Sequence, residues 1–232
     1  MAVAAIAAVA LTGGTALHGG GGGGSIYAIG DSWAAGLHAD PAHALVQDAA
    51  DDLGMTATVD GESGSGYLAA PGGTSTYPER AAAIPTGTSA DIALVQGGSN
   101  DDRQDLTRLP AAVAATVDSV RAALPGARVV LLGPGPDPWP VTATQTRVDR
   151  ILAVEAARLG VQYISPLQRG WFTASDVDTI IDPATHHPTV EGDRILGGLL
   201  ADALRGHGHG RPHRPPASVL PAAAAALRRA AR

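Results

Sequence analysis

The chain of 232 residues contains no cysteine, no lysine and few aromatic residues. Without cysteine it can form no disulfide bond, thiolate metal site, cysteine nucleophile or lipid-modified amino-terminal cysteine. Because it has only three Trp, four Tyr and one Phe, any aromatic side chain near a functional site is notable. The length suits one domain of ordinary size with a real core, built mostly from Ala, Val and Leu.

Acidic and basic residues are divided unevenly along the chain. All 22 acidic residues lie before position 203 and ten arginines lie in the same part, so residues 1–204 carry a formal charge of −12 (10 − 22). The last 28 residues contain six arginines and no acid. An acidic domain of this kind argues against nucleic acid as the main partner.

Both ends of the chain have a simple composition. Residues 1–17 are small and apolar, too short to span a bilayer comfortably, and are similar to the apolar region of a secretory signal peptide. A positive charge near Met1 is missing, and a disordered alanine-rich leader is the alternative. We expect a secreted or cell-surface protein with a leader and glycine linker over 1–24, a folded domain over 25–206 and a flexible tail over 207–232.

Strand-like and helix-like segments alternate within the predicted domain. Strands are predicted at Ile26–Ile29, Thr56–Val59, Ile92–Gln96, Val129–Leu132 and Val161–Ile164. Helices are predicted at Pro41–Leu53, Leu109–Ala123, Val141–Leu159 and Thr189–Leu204, the third with a core-facing stripe of Val148, Ile151, Leu152 and Val154. The alternation predicts an α/β fold with a five-stranded parallel sheet covered on both faces. Ligands of such sheets bind at the carboxyl ends of the strands.

Four polar segments fall at that end of the predicted sheet. They are Gly30-Asp31-Ser32 after the first strand, Asp60–Gly66 after the second, Gly97–Asp101 after the third and Asp182–Pro188 before the last helix. Acyl transfer needs these residue types: a serine hydroxyl, a histidine base and fixed N–H donors for the oxyanion. A glycine lets a backbone amide approach closely, and an asparagine supplies an N–H that cannot be lost by titration.

The four segments together resemble the SGNH, or GDSL, hydrolase family, over about residues 26 to 195. The resemblance implies a three-layer α/β/α sandwich of the flavodoxin-like SGNH type and a serine ester hydrolase that needs no metal or organic cofactor. It implies Ser32 as nucleophile, His187 as base, and an oxyanion hole formed by Ser32, Gly64 and Asn100. His187-Pro188, with Gly192 four residues beyond the proline, matches the family's His-Pro segment.

The segment that contains the histidine departs from the family pattern, which places an aspartate three residues before it. Ala184 stands there, and the nearest carboxylate is Asp182, five residues before His187. Three hypotheses follow. Asp182 reaches His187 through a local bulge, which is the one we favour; a backbone carbonyl orients the imidazole and leaves a Ser–His pair; or the triad is imperfect and activity is low.

Several neighbours of these residues allow more than one interpretation. Gly66 could take the role of Gly64, and His186 is interpreted as a bystander beside His187. Asp31 is expected to order its loop by hydrogen bonds, and Asp101 and Asp102 to cap the next helix or face solvent. Four aromatic residues form a substrate wall or, equally, pin loops: Trp33 and Trp139, which we take as substrate-binding, with Trp171 and Phe172.

The function expected from these residues is hydrolysis of acyl esters by a monomer, with no stable membrane insertion of the domain. The acidic domain and scarce aromatic residues favour a small-molecule or polysaccharide ester over a long-chain lipid. Two alternatives stay open: a non-catalytic cell-surface binding module with a decayed triad, and an acyltransferase that delivers the acyl group to a sugar hydroxyl.

Overall fold

The computed structural model describes residues 23–137 and 139–206. The predicted tail, and the predicted leader and linker apart from Gly23 and Gly24, lie outside the described residues. Within the described ranges, no helix is both long and apolar enough to cross a membrane.

Five parallel strands form the central sheet, in the order β2-β1-β3-β4-β5. They are β1 (Ser25–Gly30), β2 (Thr56–Gly61), β3 (Ile92–Gln96), β4 (Arg128–Leu132) and β5 (Gln162–Ile164). A separate antiparallel pair, β6 (Ile181–Asp182) and β7 (His187–Pro188), lies outside this sheet. All five predicted strands are thus confirmed, because runs of β-branched and other apolar residues suit a sheet buried on both faces.

Among the residues that the structure describes, six α-helices connect or follow the strands. They are α1 (Leu45–Leu53), α2 (Tyr77–Ala82), α3 (Leu109–Ala123), α4 (Ala143–Leu159), α5 (Val177–Ile180) and α6 (Val190–Leu204). Predicted starts were early in three of them. Pro41–His43 is a separate 3-10 turn before α1, Thr142 caps α4 by accepting a hydrogen bond from Gln145 N at 3.1 Å, and Thr189 caps α6 by accepting one from Gly192 N at 2.9 Å.

Side chains alternate between the two faces of the sheet and define two cores. Ile26 and Ala28 of β1 pack with helices α1 and α6 on one face, whereas Tyr27 and Ile29 pack with α2, α3 and α4 on the other. The fold is therefore a three-layer α/β/α sandwich, as expected. One part of the expected core was wrong: Val154 on α4 is 59% exposed, because it lies beyond the edge of the stripe formed by Val148 and Leu152.

The strand register brings the carboxyl ends of the strands to one edge. Gly30 pairs with Gly61, Ile29 with Val95, and Gln96 with Leu132. The segments that leave β1, β2 and β3 therefore start side by side, which is the arrangement that places distant polar residues in one cleft.

Candidate active site

Ser32 lies in a tight turn directly after β1. Gly30 is needed there, because a side chain would collide with Ala34 and the amide of Gln96. Ala35 N donates to Asp31 O at 3.0 Å and Leu37 N donates to Ser32 O at 3.0 Å. Residues 32–38 form turns rather than a regular helix. Local backbone hydrogen bonds thereby hold the turn that contains Ser32 at the edge of the sheet.

The hydroxyl of Ser32 is hydrogen-bonded to His187, with Oγ 2.8 Å from Nε2. The other ring nitrogen, Nδ1, lies 2.6 Å from the carbonyl oxygen of Thr185. A carbonyl oxygen can only accept, so Nδ1 holds the hydrogen and Nε2 is the acceptor for the serine hydroxyl. This is the tautomer in which a histidine can remove the serine proton.

The ring of His187 is hydrogen-bonded to Thr185 O rather than to Asp182, which differs from the favoured sequence hypothesis. It stands opposite His187 in the β6–β7 pair, but its carboxylate accepts a hydrogen bond from Ala184 N at 2.8 Å. Its carbonyl oxygen accepts from His186 N at 2.8 Å. Asp182 therefore closes the turn between the two short strands, and the Thr185 carbonyl takes the place expected for a carboxylate.

Gly64 and Asn100 approach the site from the loops after β2 and β3. Gly64 has a φ of +77° and lies against Pro71, so a side chain there would be both strained and obstructed. Asn100 Nδ2 donates to Ser65 O at 2.9 Å, which ties the two loops together and leaves the second amide hydrogen of Asn100 available.

Gly64 and Gly66, which the sequence could not separate, differ in the use of their amides. Gly66 N donates to Ala69 O at 2.9 Å, and a side chain at Gly66 would strike the carboxylate of Asp101. In the parts of the chain that the structure describes, no hydrogen bond uses the amide of Gly64. Gly64 is therefore the glycine whose amide can bind a substrate oxygen.

Asp101 is fully buried and was misjudged as a helix cap or solvent-facing residue. Its carboxylate accepts hydrogen bonds from the amides of Tyr67, Leu68 and Ala69 at 3.0, 2.8 and 3.0 Å. Burial raises the pKa of Asp101, and the three amides oppose that rise. Asp101 thus holds the loop after Gly64 in place. The same residue directly follows Asn100 in the chain, so the loop is held beside Asn100.

Arg80 is a second buried charge that the sequence analysis missed. It forms an ion pair with Asp60 at 2.8 Å and donates to Gly30 O at 3.0 Å and to Ser65 Oγ at 2.9 Å. One guanidinium therefore joins the ends of β1 and β2 to the Gly64 loop. An arginine within the short, polar segment of α2 carries no sequence signal that would distinguish it from a surface residue.

Asp31 is buried next to Ser32 and orders the turn, as expected. Its Oδ1 accepts from Trp33 N at 3.0 Å, and its own amide donates to the Gln96 side chain at 3.3 Å. Burial raises the pKa of the Asp31 carboxyl to about 7, because the desolvation that disfavours its charged form exceeds the opposing effect of the hydrogen bond from Trp33 N.

The four aromatic residues that were candidates for a substrate wall divide into three buried rings and one exposed ring. Trp33 is only 6% exposed; its ring packs on Gly135 and meets Phe172 edge-on at 6.2 Å. Trp171 is also buried. The interpretation of Trp33 as part of a substrate wall was therefore wrong, since the core covers its ring, while Trp139 is 37% exposed.

A cleft of about 600 Å³ opens beside the loops that contain Gly64 and Asn100. It is lined by Gly64, Ser99, Asn100, Asp102 and Asp137, together with small apolar residues of the 68–71 segment. Two further histidines flank His187: the exposed His38 meets its ring edge-on at 5.0 Å, and His186 lies 3.7 Å from Asp137. Neither His38 nor Asp137 matched a motif, so the sequence did not single them out.

Comparison with known proteins agrees with this architecture. The model of the GDSL-like lipase/acylhydrolase family matches residues 28–195. A carbohydrate esterase family 2 enzyme with a carbohydrate-binding domain, from Corynascus thermopiles (Myceliophthora fergusii), has a similar structure, with a TM-score of 0.63 and 20% identity over 79% of this chain and 66% of the other. A G-D-S-L family protein from Desulfitobacterium hafniense DCB-2 gives a TM-score of 0.64 and 14% identity over 76% and 97% of the two chains.

A salicylyl-acyltransferase from a tetracycline biosynthetic pathway is also similar, with a TM-score of 0.60 and 19% identity over 80% of this chain and 56% of that one. No curated protein matches the chain. These structural similarities establish the fold, and the family match covers most of the described domain. The chain belongs to the GDSL-like lipase/acylhydrolase family.

Proposed function

We propose that this protein is a serine esterase that hydrolyses small acyl esters, in particular esters of carbohydrates. The observation that carries the proposal is the 2.8 Å hydrogen bond from Ser32 Oγ to His187 Nε2, with the Thr185 carbonyl selecting the required tautomer. A hydroxyl alone is a weak nucleophile, and an adjacent base in this geometry activates it.

The proposed reaction has two acyl-transfer steps. Ser32 Oγ attacks the ester carbonyl while its proton moves to His187 Nε2; the imidazolium then gives that proton to the departing alkoxide, which leaves as an alcohol. Water attacks the acyl-serine in the second step, His187 again takes and returns the proton, and the carboxylic acid leaves. Each step uses a proton that His187 accepts and then releases.

The oxyanion of each tetrahedral intermediate would bind the amides of Ser32 and Gly64 and the side chain of Asn100. Support for this comes from the free amide of Gly64 and from the Asn100 amide hydrogen that Ser65 O leaves available. Preorganised donors of this kind act where charge develops in the transition state.

The lining of the cleft supports a small, polar substrate. Asp102 and Asp137 present carboxylate oxygens that can accept hydrogen bonds from sugar hydroxyls, and Leu68 and Pro71 offer only a short apolar surface. The exposed ring of Trp139 can stack on a sugar. Two of the similar structures are, by name, a carbohydrate esterase and an acyltransferase. Both are less than 25% identical to this chain and support its fold, so the proposed substrate class depends on the cleft.

The proposal is tested by nitrophenyl acetate hydrolysis with the full chain, Ser32→Ala and Ser99→Ala. Ser99 is the matched control, because it is another serine and lies next to Asn100 in the lining of the cleft. We expect Ser32→Ala to lose about 1,000-fold or more in kcat/KM and Ser99→Ala to change little. Equal rates in wild type and Ser32→Ala would overturn the proposal and favour a non-catalytic binding module.

The acyl and acceptor preferences follow from two further assays. Nitrophenyl acetate should be cleaved faster than the decanoate, and acetylated xylan should release acetate. A preference for decanoate would contradict the small-acyl proposal. If acetate appears mainly on an added oligosaccharide rather than in water, the enzyme is an acyltransferase and the hydrolase proposal fails.

A further inference from the structure

His187 must carry a positive charge for part of the proposed reaction, yet its Nδ1 faces a neutral carbonyl. The Thr185 oxygen orients the ring, but a carbonyl stabilises an imidazolium less than a carboxylate does. Asp182, the carboxylate nearest in sequence, is used to close the turn at Ala184. A source of negative charge elsewhere in the fold would therefore matter to the reaction.

Asp137, in the loop after β4, places a carboxylate beside His186. It lines the same cleft as Gly64 and Asn100 and is partly buried. Its Oδ1 lies 3.7 Å from Nδ1 of His186, the immediate neighbour of His187. The loop is held because the side chain of Gln145, itself buried, donates to the carbonyl oxygen of Asp137. Asp137 is thus held beside His186, the residue that precedes His187 in the chain.

The charged groups around Asp137 come from two parts of the chain, residues 102–103 and residues 186–187. Burial raises the pKa of Asp137, and Asp102 raises it further; His186, His187 and Arg103 act in the opposite direction. Since interaction between two charges is reciprocal, a carboxylate that is stabilised by a protonated His187 also stabilises that protonated ring. The ring of His187 is also in edge-on contact with His38.

We propose that Asp137 is a positioning residue that supplies, from the loop after β4, the negative charge that stabilises the protonated ring of His187. This inference rests on the proposed esterase function. Asp137 stays ionised throughout and takes no proton: the proton moves only between Ser32 Oγ, His187 Nε2 and the leaving alkoxide or water. The orienting bond and the charge, which a triad carboxylate provides together, are here divided between Thr185 and Asp137.

The test is the pH dependence of kcat/KM for nitrophenyl acetate, a neutral ester, with the full chain and Asp137→Asn. We expect the plateau to fall about tenfold, because a nearby charge in a partly buried site contributes on that scale. The acid limb should move to lower pH by about half a unit or more, because removing a negative neighbour disfavours the protonated ring. A defect that is merely structural lowers the plateau without moving the limb.

Two variants serve as controls for the charge. Asp137→Glu keeps the charge and should restore most of the limb position. Asp102→Asn removes a carboxylate that lines the cleft but lies on the Asn100 side, and it should leave the limb unchanged. If Asp137→Asn does not fold, as judged by its thermal transition, Asp137→Ser is measured in its place with the same expectation.

The outcomes separate this inference from the proposed function. An unchanged plateau, or a lower plateau with an unmoved acid limb, overturns the role of Asp137 while Ser32→Ala still shows whether the protein is a serine esterase. A limb that moves equally in Asp102→Asn also overturns it, since the effect would then belong to the overall charge of the cleft.

Discussion

The two sides of the cleft are held in place by different interactions. On the side of Gly64 and Asn100, buried charged groups hold the backbone: Asp101 accepts three amides, and Arg80 joins the ends of two strands to the loop. On the side of His187, a hairpin with two residues in each strand is held mainly by backbone bonds. The donors that would bind an oxyanion are therefore held by hydrogen bonds and an ion pair of buried charged side chains, whereas the base is held by backbone hydrogen bonds.

This difference has a physical reason. An oxyanion hole works only if its donors are preorganised, so rigid anchoring by buried carboxylate and guanidinium groups suits it. A histidine needs one defined tautomer and one defined ring position, which a single carbonyl oxygen can select. Substitutions that remove single groups of the two sides should lower activity by different amounts, from the oxyanion donor down to the residues that only hold the backbone.

Asn100→Ala removes the side-chain donor on the rigid side and should have the largest effect among the variants of residues other than Ser32 and His187. Loss of one oxyanion donor costs about 100- to 1,000-fold in kcat. KM should change much less, since the donor acts mainly on the transition state. Steady-state kinetics with nitrophenyl acetate measures both. Asp102→Ala, two residues away and also in the cleft, is the control, and similar losses in the two variants would contradict the role of Asn100.

Asp101→Asn tests the anchoring of the Gly64 loop. Asparagine has a single acceptor oxygen, so its NH2 group faces either the amide of Tyr67 or the amides of Leu68 and Ala69. The amides that it faces lose their acceptor, at about 1–3 kcal/mol each. We expect a lower free energy of unfolding and about a tenfold loss in kcat from a displaced oxyanion hole. Urea denaturation and kinetics measure the two effects.

The matched variant for this prediction is Asp102→Asn, whose side chain is partly exposed. It should change the free energy of unfolding by about 0.5 kcal/mol or less. Full activity and stability in Asp101→Asn would show that the loop does not depend on the buried carboxylate.

Asp31→Asn should affect stability rather than catalysis. Burial raises the pKa of Asp31 to about 7 in the folded protein, above the value of about 3.9 expected for an unfolded chain. The folded state then binds the proton more tightly, so stability is complete below about pH 4 for this group and is lost as the pH rises through about 7. The buried Asp193, whose pKa burial also raises to about 7, adds to the same loss.

The corresponding measurement is urea denaturation across this pH range. The wild type should lose free energy of unfolding between about pH 4 and about pH 7, and Asp31→Asn should lose less, because the amide keeps an oxygen for Trp33 N and carries no charge. Its kcat should stay within about threefold of the wild type. The same pH dependence in wild type and variant would show that Asp31 does not contribute to it.

The sheet could be predicted from the sequence because apolar strands and polar strand ends are both local patterns. The segments at Ser32, Gly64 and Asn100 could be located for the same reason, once the parallel order put their strand ends at one edge. His187 could be located by its segment directly before the last helix. The fold and the approximate site therefore follow from patterns along the chain.

The residues that hold the site could not be predicted in this way. In the sequence, Asp101 looks like an ordinary turn acid beside Asn100, and Arg80 looks like a helix-surface residue. Their burial depends on how the Gly64 loop folds over them, which is a tertiary property. The contact predicted between Asp182 and His187 is absent from the structure for the opposite reason. Distance along the chain suggested Asp182 as a partner for His187, but its carboxylate accepts a hydrogen bond from the nearer amide of Ala184.

The most direct test of the account is the kcat of Asp182→Asn compared with wild type. Asparagine keeps an oxygen for Ala184 N and so preserves the turn, while it removes the carboxylate charge that a triad requires. With Thr185 O orienting His187, we predict a change within about threefold. A loss of about 1,000-fold or more, as expected when a triad aspartate is replaced by asparagine, would contradict the account and make Asp182 the partner of His187.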